Sequence, residues 1–71
     1  MNRLHPKKLL HSKWTAAQPV RKEKHFIVIE VEFDEEQRVV ACCLEAVHSK
    51  RPFLIDWTEL KDPSRWRQGW Q

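Results

Sequence analysis

The segment His25-Phe26-Ile27-Val28-Ile29-Glu30-Val31-Glu32-Phe33 decides the fold. Ile27, Ile29, Val31 and Phe33 recur at every second position, with Glu30 and Glu32 between them. Period-two alternation of β-branched and aromatic residues marks a half-buried β-strand. Phe26 and Val28 break the polarity of the second face near the start, so that end is expected to be covered on both sides, with the N-terminal segment as the candidate cover.

Working outward, Asp34-Glu35-Glu36-Gln37 carries no apolar residue and reads as a hairpin loop, with Glu35 and Glu36 at its solvated tip. So short a connection requires antiparallel pairing. A second strand follows from Arg38 to about His48. Val40, Cys42, Leu44 and Ala46 share its inner face, and Glu45 turns the other face toward solvent. Ser49-Lys50-Arg51-Pro52 is the next turn, because proline fixes its own φ and biases Arg51 toward extended backbone. A third strand, Phe53 to Thr58, points Phe53, Ile55 and Trp57 inward.

The result is a mainly β domain: an antiparallel meander of three strands, or four if Ser12-Lys13-Trp14-Thr15-Ala16 pairs as a short edge strand before Pro19. Asp62-Pro63 supplies an N-cap and a first-turn proline for a short C-terminal helical turn, on which Trp66 and Trp70 would share a face. A sheet of this size cannot leave its apolar face bare. Two closures remain open: the sheet curls into a small open barrel of the Tudor or Sm kind, or the terminal segments lie across it. The chain divides into a basic N-terminal arm (1–10), the sheet (12–60) and a tryptophan-containing C-terminal turn (62–71).

The 71 residues make one domain, and so short a chain buries only roughly 60% of its unfolded surface. Four tryptophans and three phenylalanines supply much of the apolar area. With Gly69 the only glycine, tight turns at positive φ are disfavoured and hairpin loops of three residues or more are expected. Adjacent Cys42 and Cys43 diverge on a strand and form no disulfide framework. No apolar run approaches the ~20 residues of a membrane span, and free thiols suit a reducing compartment, so a soluble, cytoplasmic protein is expected.

Charge is unevenly placed. Residues 1–25 hold seven Lys or Arg against Glu23 alone, whereas residues 26–50 hold Arg38 and Lys50 against six acids. Such bipolarity suits a basic segment meeting a polyanion, or a fit between that segment and an acidic sheet face.

Several stretches carry a family resemblance: Leu10-His11-Ser12-Lys13-Trp14-Thr15-Ala16, Glu23-Lys24-His25-Phe26, Leu44-Glu45-Ala46-Val47, Ile55-Asp56-Trp57, Glu59-Leu60-Lys61-Asp62 and Trp66-Arg67-Gln68-Gly69-Trp70. In these the chain resembles a family of short, tryptophan-rich bacterial proteins known only as a conserved domain of unknown function. The resemblance implies nothing about activity, and the Cys42-Cys43 pair stands outside the shared pattern.

No catalytic, metal or cofactor signature is complete. The histidines and cysteines lack zinc-ligand spacing. Cys43, His48 and Glu45 are a trio that such a composition offers by chance, and a domain this small leaves little room for an enzyme pocket. Asp56 and Asp62 are expected to cap turns, and His25 to be a hydrogen-bonded structural residue. A non-enzymatic binding or accessory module without cofactor or metal is therefore expected. Its candidate surface is Lys13, Trp14, Arg21, Lys22, Lys24, Arg65, Trp66, Arg67 and Trp70, with Trp66 and Trp70 the best exposed candidates and Trp14 and Trp57 the more core-like. Another protein is the favoured partner, RNA or DNA the alternative, and a homodimer through strand-edge pairing a further possibility.

Overall fold

In the computed structural model, which describes Asn2 and residues 4–71, five strands form one antiparallel sheet: β1 (Lys13–Val20), β2 (Glu23–Phe33), β3 (Val39–Ala46), β4 (Pro52–Ile55) and β5 (Trp66–Gln68). Their order across the sheet is β4-β3-β2-β1-β5. The meander expected from the alternation is β2-β3-β4, and the edge strand expected around Trp14 is β1. β4 and β5 lie at opposite edges, so the sheet is open and does not close into a barrel. Covering by terminal segments is the solution adopted.

The first cover is the N-terminal segment. A 3-10 turn at Pro6–Lys8 leads to Leu9, which is fully buried, and Leu4 packs against the same cluster. The Asn2 side-chain amide donates to the Leu60 and Trp66 carbonyls at 2.8 and 2.7 Å. The segment thus lies across the sheet and is not a free arm. The second cover is a 3-10 turn at Trp57–Lys61, N-capped by Asp56, which drives Leu60 to full burial.

Beneath these covers Trp14, Val28, Cys42 and Leu44 are essentially inaccessible, with Phe26 and Ala46 beside them. The buried Trp14 indole N–H donates to Ser12 Oγ at 2.8 Å, so no polar group is left unsatisfied by its burial.

The inner face of β2 differs from the expected one. Phe26 and Val28 are buried, whereas Ile27 is half-buried and Ile29 and Phe33 are 37% and 40% exposed. The reason is a bulge. Val28 pairs with Leu44 and Glu30 with Cys43, so Ile29 is an extra residue and the side-chain alternation shifts by one. Val31, beyond the bulge, does pack on the core. A second irregularity pairs Glu32 with Ala41 and Phe33 with Val39, leaving Val40 60% exposed. Cys42, Leu44 and Ala46 face inward as expected. The cover on the other face of β2 comes from the C-terminus: Trp70 Nε1 donates to the Phe26 carbonyl at 2.9 Å, and the Gln71 carbonyl bonds His25 Nε2 at 2.8 Å.

The C-terminal segment is also corrected. Asp62 does accept bonds from the Ser64 amide and hydroxyl, and a turn closes between Asp62 and Trp66. The chain then leaves as β5, pairing Trp66 with Ala16 and Gln68 with Trp14. Pairing with the otherwise bare edge of β1 satisfies backbone groups that a one-turn helix would expose. Trp66 and Trp70 consequently do not share a helical face. Likewise the third strand stops at Ile55, and Trp57 is on the 3-10 turn.

The β1–β2 hairpin turns in two residues, because Val20 pairs directly with Glu23. Arg21 and Lys22 have φ of 54° and 63°, the left-handed conformation that Asn-Gly adopts with least strain in such a turn. Each non-glycine residue there costs about 1 kcal/mol or more. The double substitution Arg21→Asn/Lys22→Gly is expected to raise the urea midpoint, by about 1–2 kcal/mol of stability. A lowered midpoint would contradict this turn geometry.

Candidate functional site

At the β1–β2 hairpin end the two covers stop short. There three aromatic rings meet: Phe53 and Trp66 stand edge-on to Phe26, with centroids 5.5 and 5.1 Å away at interplanar angles of 86° and 83°. Phe26 forms the floor and the other two are walls, an arrangement that the ring quadrupole favours. Val20, Glu23 and Arg65 are among the residues that line, with these rings, a hollow of about 390 Å³, which is in the size range of pockets that hold a small group. A second hollow of about 520 Å³ lies beside the N-terminal 3-10 turn, with His5, Lys8, Lys13, Trp14 and Gln68 in its wall.

Glu23, at the first position of β2, is the chemically unusual member. Its carboxylate is 5% exposed, yet both oxygens are engaged: Arg51 donates to Oε1 at 2.6 Å and the Ser49 hydroxyl donates to Oε2 at 2.5 Å. The Ser49 bond and the Arg51 bond and charge hold its pKa below the ordinary value, against the opposing effect of burial. Asp34, Asp56 and Asp62 are lowered too, by hydrogen bonds to Arg38, Thr58 and Ser64 respectively.

A carboxyl whose native pKa lies below its unfolded value contributes stability that is complete above the unfolded pKa and is lost as pH falls through the native one. The melting temperature is therefore expected to hold from neutrality to about pH 5 and to fall below it. Glu23→Gln is expected to lower the melting temperature at neutral pH and to make the acid limb shallower. Identical acid limbs for the two proteins would show that the Glu23 cluster contributes nothing.

The nine residues expected at the surface separate. Trp14 is 1% exposed and belongs to the core, a correction that follows from its position on the covered face of β1. Trp66 is half-buried as a wall of the hollow, with Arg65 at the rim and ion-paired to Glu59 at 2.9 Å. Arg21, Lys22 and Lys24 are exposed at the same end. The other three residues lie on the opposite face of the sheet, where Arg67 pairs with Thr15 and Lys13 with Ile27. The Lys13 ammonium sits 4.8 Å from the Trp70 ring centroid, and Trp70 is 44% exposed. Thr15 holds this tail, donating to the Gly69 carbonyl at 2.7 Å and accepting from the Gln71 amide at 2.9 Å.

Phe26, Ser49, Arg51 and Phe53 were not legible as site residues. The one available signal was Glu23, the sole acid among the first 25 residues. The remaining chemistry is sparse. Burial, with the Cys43 thiol beside it, pushes the Cys42 thiol up to about 11, which makes it a poor thiolate. Among the described residues, no three His, Cys, Asp or Glu side chains gather as a metal set, and no helix is long and apolar enough to cross a membrane.

An open five-stranded sheet bearing an aromatic hollow defines a small, tryptophan-rich β domain. The model of the tryptophan-rich protein family DUF2389 matches residues 12–71, and the chain belongs to that family of unknown function. No curated protein and no solved structure matches it.

Proposed function

We propose that this protein is a small non-enzymatic binding module that engages another protein through the hollow between Phe26, Phe53 and Trp66. The observation that carries the proposal is that three aromatic rings meet around the hollow at the hairpin end, whereas the hollow beside the N-terminal 3-10 turn draws its apolar wall from Leu4 and a Trp14 that is only 1% exposed. Rings held in mutual edge-to-face contact are preorganised, so an incoming apolar side chain finds its pocket already formed. Free Cys42 and Cys43 fit a reducing, cytoplasmic setting.

Nucleic acid is the second reading, favoured by the cations Arg21, Lys22 and Lys24 next to Trp66. Phe26 is 5% exposed and Phe53 and Trp66 are half-buried, which weighs against it, since base stacking needs an open ring face.

A photo-crosslinking amino acid at position 20, on the rim, tests the proposal in cells of the source organism, with position 7, exposed on the N-terminal 3-10 turn, as control. A discrete protein adduct from position 20, absent from position 7, is the expected result. Adducts to nucleic acid, or the same species from both positions, would overturn it.

A further inference from the structure

The two ends of β2 carry opposite charge. This strand is 11 residues long, roughly 35 Å at about 3.4 Å per residue, so its termini lie at opposite ends of a molecule whose longest extent is 37 Å. At the first end are Arg21, Lys22 and Lys24, with Lys50 in the neighbouring β3–β4 loop. At the other are Glu30, Glu32 and Glu35. Among the described residues none of these seven is in an ion pair, although the Arg21 charge acts on Glu23 from a greater distance; the pairs that do form are Arg38 with Asp34 and Glu36, Arg51 with Glu23, and Arg65 with Glu59.

Each end also bares apolar surface. Val20, 69% exposed, adjoins the aromatic hollow at the basic end, while Phe33 and Val40 are 40% and 60% exposed at the acidic end. The basic end is held at some strain, because Arg21, Lys22 and Lys50 all have positive φ. Asparagine or glycine would relax these positions, yet each carries a long cationic side chain.

We infer that the hollow receives the β2–β3 hairpin end of a second copy of this chain, in a head-to-tail contact. The inference rests on the hollow being a protein-binding site and specifies its occupant. Charge complementarity carries it: unpaired cations flank the hollow, and the chain's own acidic hairpin presents unpaired carboxylates around Phe33 and Val40. Such a contact joins two different surfaces, so it builds open chains or closed rings and not an isolated symmetric dimer.

Analytical ultracentrifugation of the full chain tests this. At ~0.01 M salt, where charges act over about 30 Å, the wild-type mass is expected to rise with concentration beyond a dimer. At ~1 M salt, with screening inside about 3 Å, it is expected to return to the monomer. Arg21→Asn/Lys22→Gly removes two of the four head charges while relaxing the turn, and Glu32→Gln/Glu35→Gln removes two of the three tail charges, all at exposed positions. Each variant alone should be monomeric. Their equimolar mixture should give a 1:1 dimer that grows no further, because only one live head and one live tail remain.

A wild-type chain that stays monomeric at low salt overturns the inference. So does a variant that self-associates alone, as pairing through the β4 edge would produce, or a mixture that stays monomeric. Position-20 adducts to a different protein, with a monomeric wild type, would overturn self-docking and leave the protein-binding proposal standing. Adducts to nucleic acid would overturn both.

Discussion

Trp14→Ala is expected to abolish cooperative folding. The indole is 1% exposed at the centre of the covered face, where Trp14 pairs with Phe26 on one side and Gln68 on the other. Truncating a buried aromatic of this kind costs about 3–5 kcal/mol. A 71-residue domain has roughly 4–11 kcal/mol in all, from about 0.05–0.15 kcal/mol per residue. The substitution also strips the Ser12 hydroxyl of its partner at the indole N–H. Urea titration followed by far-UV circular dichroism would show a shift of most of the transition toward zero denaturant. A midpoint within experimental error of wild type would mean that Trp14 does not occupy the core.

The second large effect separates two residues of one short turn. Leu60→Ala is expected to destabilise by about 2–5 kcal/mol, because Leu60 is fully buried within the core cluster and its truncation leaves a cavity there. Trp57→Ala, although it removes a larger side chain, is expected to cost less. Trp57 is only partly buried, and the Lys61 ammonium lies over its ring, 4.5 Å from the centroid. The comparison is made on the same urea axis. The alternation Phe53, Ile55, Trp57 implies the reverse order, since a strand running to Thr58 would put Trp57 in the core. If Trp57→Ala proves the more damaging, the chain continues as a strand past Ile55.

These two residues show why part of the fold was legible and part was not. β2, β3 and the Asp34–Arg38 hairpin follow from local rules: alternation with period two, a polar loop, and an Asp34 carboxylate that accepts from the Glu36 and Arg38 amides at 2.9 Å. The capping roles of Asp56 and Asp62 were legible for the same reason, as each accepts from a residue two positions on; His25 was legible as a hydrogen-bonding residue, but its partner, the Gln71 carbonyl, lies 46 residues away. The bulge at Ile29 was not. Both faces of β2 carry apolar residues there, and the choice between them depends on which side receives Leu9 and Leu60.

The candidate site was less legible still. Arg21, Lys22, Lys24, Arg65 and Trp66 were identified by type, yet the feature that unites them is made by contacts across the chain. Glu23 and Arg51 are 28 residues apart, and Phe26 meets both Phe53 and Trp66. Two of the nine candidate residues, Trp66 and Trp70, are four apart in sequence and on opposite faces of the sheet, because β5 replaces the expected helical turn.

By itself the sequence determined that the protein is an antiparallel β domain, where three of its strands run and how charge divides between the ends of β2. Those properties arise from neighbouring residues, whose alternation and turn chemistry need no distant partner. The tertiary structure decided which face of β2 is inside, that the C-terminus becomes a strand, and that three rings and a buried carboxylate enclose a hollow. Each of these depends on the area buried when remote segments meet, a quantity that no local pattern contains.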